Sequence, residues 1–237
     1  MASLVNERYR KTAERLISSG YRFKRAYREH VYLASSLEHG DVIIKFGASL
    51  PSRYGLKQSA EFLTRVASDF WSPVIEYGSD KQIDWLILPY ICGQTVSEYI
   101  INVGHDLRGN LVANKWLESL ELAISTLHKF GFVHGDIKPS NILITSSQKV
   151  LLLDFSTITP IGTEMHSLPF QFLSQRYAKT NESLATPNIG QVSSIDNDWY
   201  SIAQTLLVLS EALQRSHPPQ GIPSFLVPSR YQVMITN

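Results

Sequence analysis

From residue 21 to residue 47 the chain alternates apolar and polar positions with a period near two. Val31-Tyr32-Leu33-Ala34 and Asp41-Val42-Ile43-Ile44-Lys45-Phe46 are the clearest runs. The pattern predicts strands over 21–27, 31–37 and 41–47, with two more at 73–77 and 84–90. Elsewhere the period changes to that of a helix. Residues 2–19 read as an amphipathic helix, with Leu4, Ala13, Leu16 and Ile17 on its apolar side and Gly20 as a stop. A second helix is expected over 56–68. Helix dominates 94–130, where Trp116, Leu117, Leu120, Leu122, Ala123, Ile124 and Leu127 recur at helical spacing and form a core stripe. Asp196-Asn197-Asp198-Trp199 opens another apolar helix, running to about Leu213, and the proline-bearing tail from Arg215 reads as irregular. The order is a helix over 1–20, a strand-rich part over 21–90 and a mainly helical part over 91–237, an α+β chain.

Composition narrows this picture. The 237 residues are 43% hydrophobic, enough for a sizeable core. The net charge of +1 argues for neither a nucleic-acid nor a membrane partner. Charge is unevenly placed: residues 1–30 hold eight Lys/Arg against three Asp/Glu. A single cysteine, Cys92, excludes an internal disulfide and fits a reducing, intracellular compartment. It is expected to be half-buried. No secretory leader or membrane-spanning run is visible.

The chemistry concentrates in His134-Gly135-Asp136-Ile137-Lys138-Pro139-Ser140-Asn141, followed by Asp154-Phe155-Ser156 at the end of the apolar run Val150-Leu151-Leu152-Leu153. A carboxylate, a lysine two positions on, an amide five positions on and a second carboxylate after a strand form the constellation that phosphoryl transfer from Mg-ATP uses. Here the chain resembles the eukaryotic-type protein kinases of the serine/threonine class. The likeness runs from about Tyr21 to about Leu213. It implies a two-lobed fold, an antiparallel sheet over 21–90 and a helical C-lobe over 91–237 that is abbreviated after the helix near 198–213. It also implies ATP and Mg²⁺ as cofactors and a protein hydroxyl as acceptor. Asp136 would orient the hydroxyl and take its proton, Lys138 would balance charge, and Asn141 and Asp154 would hold the metal.

Upstream, Lys45 would reach the α- and β-phosphates, with Glu61 as its charge partner. Trp85-Leu86-Ile87-Leu88-Pro89-Tyr90-Ile91-Cys92-Gly93 resembles the fifth strand and the hinge, where the carbonyl of Pro89 and the amide of Ile91 would meet adenine. Val31, Ile43 and Leu143 would enclose the base. His134 would pack under Phe155. Asp198 would cap catalytic-loop amides or, equally, act as a plain helix cap.

Three positions depart from the family pattern. Lys24, Ala26 and Glu29 stand where the phosphate loop has glycines, so side chains would hold that loop off the phosphates and Glu29 would repel them, while Lys24, Arg25 and Arg28 could compensate. Gly135 replaces the arginine that reads a phosphorylated activation segment, and Ser156 replaces a glycine. The docking stretch of that segment falls at Gly162-Thr163 or at Ser167-Leu168-Pro169-Phe170, and Phe172-Leu173-Ser174 lies where its closing motif belongs. The reading is a protein kinase, with a non-catalytic binding module and a small-molecule phosphotransferase as the alternatives.

Overall fold

Strand β3 (Gly40–Gly47) shows how the first part of the chain is built. Its alternation sends Val42, Ile44 and Phe46 to one face of a sheet and Ile43 and Lys45 to the other. The computed structural model describes residues 4–101, 115–170, 177, 191–215 and 227–236. The chain divides into two units, Met1–Ile91 and Cys92–Asn237.

In the first unit, β1 (Arg22–Arg28), β2 (Val31–Ser36), β3, β4 (Glu76–Ser79) and β5 (Asp84–Pro89) form an antiparallel sheet in the order β1-β2-β3-β5-β4. One face is covered by α1 (Arg10–Ser18) and the turn before it. Val5, Tyr9, Ala13 and Leu16 share a buried cluster with Phe23, Tyr32, Ala34, Val42, Ile44, Phe46 and Ile87. Tyr9 stacks on Phe46 with ring centroids 5.1 Å apart. Burying each large side chain of this kind contributes about 1.5–3 kcal/mol. The opposite face takes α2 (Leu50–Arg65), whose Leu56 and Ala60 pack on Leu86.

Four of the five strands lie within one residue of their expected bounds and β4 lies two to three residues later, but the first two helices do not begin where periodicity put them. The N-terminal helix starts at Arg10, after a single 3₁₀ turn (Glu7–Tyr9) capped by Asn6, and Leu4 is exposed. Helix α2 starts at Leu50 because Ser49 and Ser52 cap each other reciprocally and Pro51 sits in the first turn. The β4–β5 connection is held by polar groups. Asp80 accepts from the amides of Gln82 and Ile83 at 2.8 Å each and from Arg15 at 3.1 Å. Buried Asp84 accepts from Arg53 at 2.9 Å, Tyr77 at 2.8 Å and Ser79 at 2.7 Å. Burial works to raise the Asp80 carboxyl's pKa, but the two amides, Thr12 and Arg15 together hold it low. The Tyr77 hydroxyl is pushed up, first by burial and then by its bond to Asp84.

The second unit is helical with small sheets. Strands β6 (Gln94–Thr95), β8 (Ile142–Ile144) and β9 (Val150–Leu152) form one sheet, and β7 (Phe132–Val133) pairs with β10 (Thr159–Pro160). Helix α3 (Val96–Ile101) follows β6 directly, and α4 (Lys115–Lys129) carries the expected stripe. Trp116, Leu117, Leu120, Ala123, Ile124 and Leu127 are buried, whereas Leu122 faces solvent. Helix α5 (Ile195–Arg215) buries Ile202, Ala203, Leu206 and Leu209.

The tail is not wholly irregular. Helix α6 (Ser229–Thr236) packs its buried Tyr231 with the hydroxyl 2.7 Å from Glu121 of α4, which also receives Arg230. Cys92 is exposed rather than half-buried. Among the described residues no helix is long and apolar enough to cross a membrane. Phe172-Leu173-Ser174 lies outside the described residues.

Candidate active site

The loop between β7 and β8 is built on backbone amides held by a buried carboxylate. Asp198, in the first turn of α5 and fully buried, accepts from His134 N–H at 2.8 Å and Gly135 N–H at 3.0 Å. It also accepts from Nε2 of His128 on α4 at 2.9 Å. Of the two readings of Asp198, loop anchor or plain helix cap, the geometry gives the first. His128 is part of the anchor. Only its distance in sequence, 70 residues from Asp198, kept that partnership from view.

Gly135 has φ +78°, and a Cβ there would lie 3.0 Å from the carbonyl oxygen of Thr157. The backbone therefore favours glycine at this position. Thr157 Oγ1 donates to the carbonyl of His134 at 2.8 Å, a further tie that no motif announced. The imidazole of His134 is buried 5.0 Å from the ring of Phe155. Its Nε2–H donates to the Leu153 carbonyl at 3.1 Å, and its Nδ1 accepts from Asp136 N–H at 3.4 Å. Burial holds its pKa below the ordinary imidazole value, against the opposing pull of Asp198, Asp136 and Asp154. A neutral ring with the proton on Nε2 satisfies both bonds.

Three of the predicted residues meet directly. Lys138 Nζ lies 2.5 Å from Asp136 Oδ2. Asn141 Nδ2 donates to the backbone carbonyl of Asp136 at 2.9 Å and to its Oδ2 at 3.2 Å. Asp136 Oδ1 is buried and has no hydrogen-bond partner. An orphaned buried acceptor is costly unless something fills it. Because Asn141 spends its amide nitrogen on Asp136, its Oδ1 remains as a hard oxygen, contacted by Ser140 Oγ at 3.4 Å.

Asp154 is brought beside this group by the β8–β9 pair: Leu153 N–H bonds the Asn141 carbonyl at 2.9 Å, and Ile142 pairs with Leu152. Asp154 itself has φ +65°, a left-handed conformation that aspartate tolerates at a cost of about 1–2 kcal/mol. Among the described residues no three His, Cys, Asp or Glu side chains gather as a metal cluster. One amide oxygen and one carboxylate suit a hard divalent ion that takes its remaining ligands from phosphate and water.

The other predicted residues are divided between the two units. In the first unit Val31 pairs with Lys45 and Ile43 with Leu88, so Val31, Ile43 and Lys45 share the face of the sheet opposite α1. Pro89 ends β5 opposite Val42, and Ile91 follows it by two residues. Glu61, on α2, has Lys57 of the same helix 4.0 Å away, both well exposed. In the second unit Leu143 lies buried in the middle strand β8. Two of the three basic side chains expected to compensate for the missing glycines are otherwise engaged: Lys24 reaches Asp41 at 2.5 Å and Arg25 lies over the Tyr27 ring.

A match to the protein kinase domain covers residues 58–220, more than two thirds of the chain. The chain belongs to the protein kinase family. The match begins on α2, so β1–β3 and Lys45 lie outside it. The chain is 27% identical over 150 residues to the O-antigen chain terminator bifunctional methyltransferase/kinase WbdD of Escherichia coli, covering 63% of this chain and 20% of that protein. Serine/threonine-protein kinase CBK1 of Saccharomyces cerevisiae is 31% identical over 141 residues, 60% of this chain and 18% of its own. A probable serine/threonine-protein kinase of Clostridium acetobutylicum is 27% identical over 105 residues, 43% and 15%. This kinase-family chain thus spans a fifth or less of the length of these relatives.

Proposed function

We propose that the chain transfers the γ-phosphoryl group of Mg-ATP to a serine or threonine hydroxyl of a protein substrate. The observation that carries this reading is the buried Asp136 carboxylate, whose Oδ2 is bonded by a lysine and an asparagine while its Oδ1 has no protein partner. In this reading Oδ1 accepts the acceptor's O–H, orients its oxygen and takes the proton as the oxygen–phosphorus bond forms and the bond to ADP breaks. Lys138, held on Oδ2, balances charge on the migrating group. Asn141 and Asp154 would hold Mg²⁺, which supplies charge neutralisation across the phosphates. Lys45 would contact the α- and β-phosphates, with Glu61 as its partner. Val31, Ile43 and Leu143 would enclose adenine, and the Pro89 carbonyl and Ile91 amide would bind its edge.

The similarity to a kinase named for O-antigen chain termination favours a second acceptor class, a glycan hydroxyl. The test is Mg-ATP-dependent ³²P transfer to a panel of proteins and saccharides. Transfer to protein that disappears in Asp136→Asn supports the main reading, and transfer confined to saccharide supports the second. No transfer, and no thermal shift with millimolar Mg-ATP, leaves a binding module, since a ligand of the native state must raise its apparent stability.

A further inference from the structure

The β1–β2 turn carries an acidic side chain, Glu29, where an ATP-binding loop would gain from having none. The structure accounts for where that charge goes. Asn6, from the segment before α1, donates its Nδ2 to Glu29 Oε1 at 2.8 Å. The same residue's backbone N–H donates to the Tyr32 hydroxyl at 3.0 Å, and that hydroxyl donates in turn to the Glu29 carbonyl. Tyr32 belongs to the buried cluster formed with Tyr9, Ala13 and Leu16. Its strand neighbour Val31 pairs with Lys45 on the other face. The carboxylate is therefore tethered on the α1 side of the sheet, and the side bearing Val31, Ile43 and Lys45 is spared the Glu29 charge.

We infer that Asn6 is a positioning residue for nucleotide binding: it draws the Glu29 carboxylate to the α1 face and so removes a repulsion that the missing glycines would otherwise leave against the phosphates. This rests on the reading of the Lys45 face as the nucleotide-binding face. Two anions kept apart by several ångströms in partly exposed surroundings interact by about 1 kcal/mol, or about fivefold in affinity.

Asn6 also accepts from Arg8 N–H through Oδ1 at 2.9 Å, so the informative substitution keeps that acceptor. Asn6→Asp retains the cap, loses the donor and sets a carboxylate against Glu29. The full chain is titrated with Mg-ATP and, separately, with adenosine. Asn6→Asp is expected to weaken Mg-ATP about fivefold and leave adenosine unchanged, and adding Glu29→Gln is expected to restore Mg-ATP binding to within about twofold of wild type. Tyr32→Phe, which keeps the ring and removes the hydroxyl, is expected to give a smaller loss with the same restriction to the phosphate-bearing ligand. The inference is overturned if Asn6→Asp binds Mg-ATP like wild type, if Glu29→Gln fails to rescue it, or if adenosine weakens equally. A wild-type chain that binds adenosine and Mg-ATP alike, or neither, overturns the nucleotide-face reading and this inference with it.

Discussion

The loop that carries Asp136 and the hairpin that carries Glu29 are both pinned, but by opposite means. The loop is fixed from within: buried Asp198, itself held by His128, bonds its backbone together with Thr157 and Asn141. The hairpin is fixed from outside, by an exposed amide–carboxylate contact and a tyrosine hydroxyl, and most of β1 is solvent-facing. Buried polar networks tolerate little change because each lost partner leaves a desolvated group. Exposed contacts can be exchanged at little cost. The family's residue pattern accordingly survives in the loop but for Gly135 and is gone from the hairpin.

That contrast can be broken in graded ways. Asp136→Asn is expected to lower phosphoryl transfer about a thousandfold while the thermal midpoint stays near wild type; measurable transfer at wild-type rate would remove Asp136 from the chemistry. Asp198→Ala orphans two loop amides and His128, and is expected to cost about 3–5 kcal/mol, read as a lower denaturant midpoint at unchanged slope. Gly135→Arg, which restores the family's residue, is expected to destabilise by about 1–2 kcal/mol, because the backbone there is left-handed and Thr157 crowds the new Cβ. His134, held neutral by burial, binds a proton more readily when the chain is unfolded. Stability from this group is therefore full above about pH 6.5 and falls as acid takes the pH below that value. Thermal midpoints from pH 7.5 to about 5 should fall more steeply for wild type than for His134→Phe. On the hairpin side, Lys24→Met breaks a pair whose partners are 45% and 43% exposed and is expected to change stability by no more than about 0.5 kcal/mol.

Much of the loop was legible in the sequence because its chemistry requires particular side chains at short spacing. Asp136, Lys138 and Asn141 lie within one turn of chain and meet in space. The strands were legible for a similar reason, since Val42, Ile44 and Phe46 declare one buried face by alternation. What escaped was set by pairs far apart in sequence or by unusual local signals. Helix α2 begins with a Ser49–Ser52 cap rather than a serine–glutamate box. Helix α6 was hidden by four nearby prolines, and its anchor, Tyr231 on Glu121, spans 110 residues. The Asn6–Glu29 bond crosses 23 residues between a turn and a hairpin, and neither residue type there signals a partner.

The placement of Val5, Tyr9, Ala13 and Leu16 bears on how this chain should be handled at the bench. A shortened version beginning at Tyr21 would strip the lid from Tyr32, Ile44 and Phe46, baring an aromatic and aliphatic sheet surface to water. A version trimmed to residue 58, where the family match starts, would also lose three of the five strands that make the sheet. Such fragments should clump or fail to accumulate, and their silence in an assay would speak to a missing scaffold and not to missing chemistry.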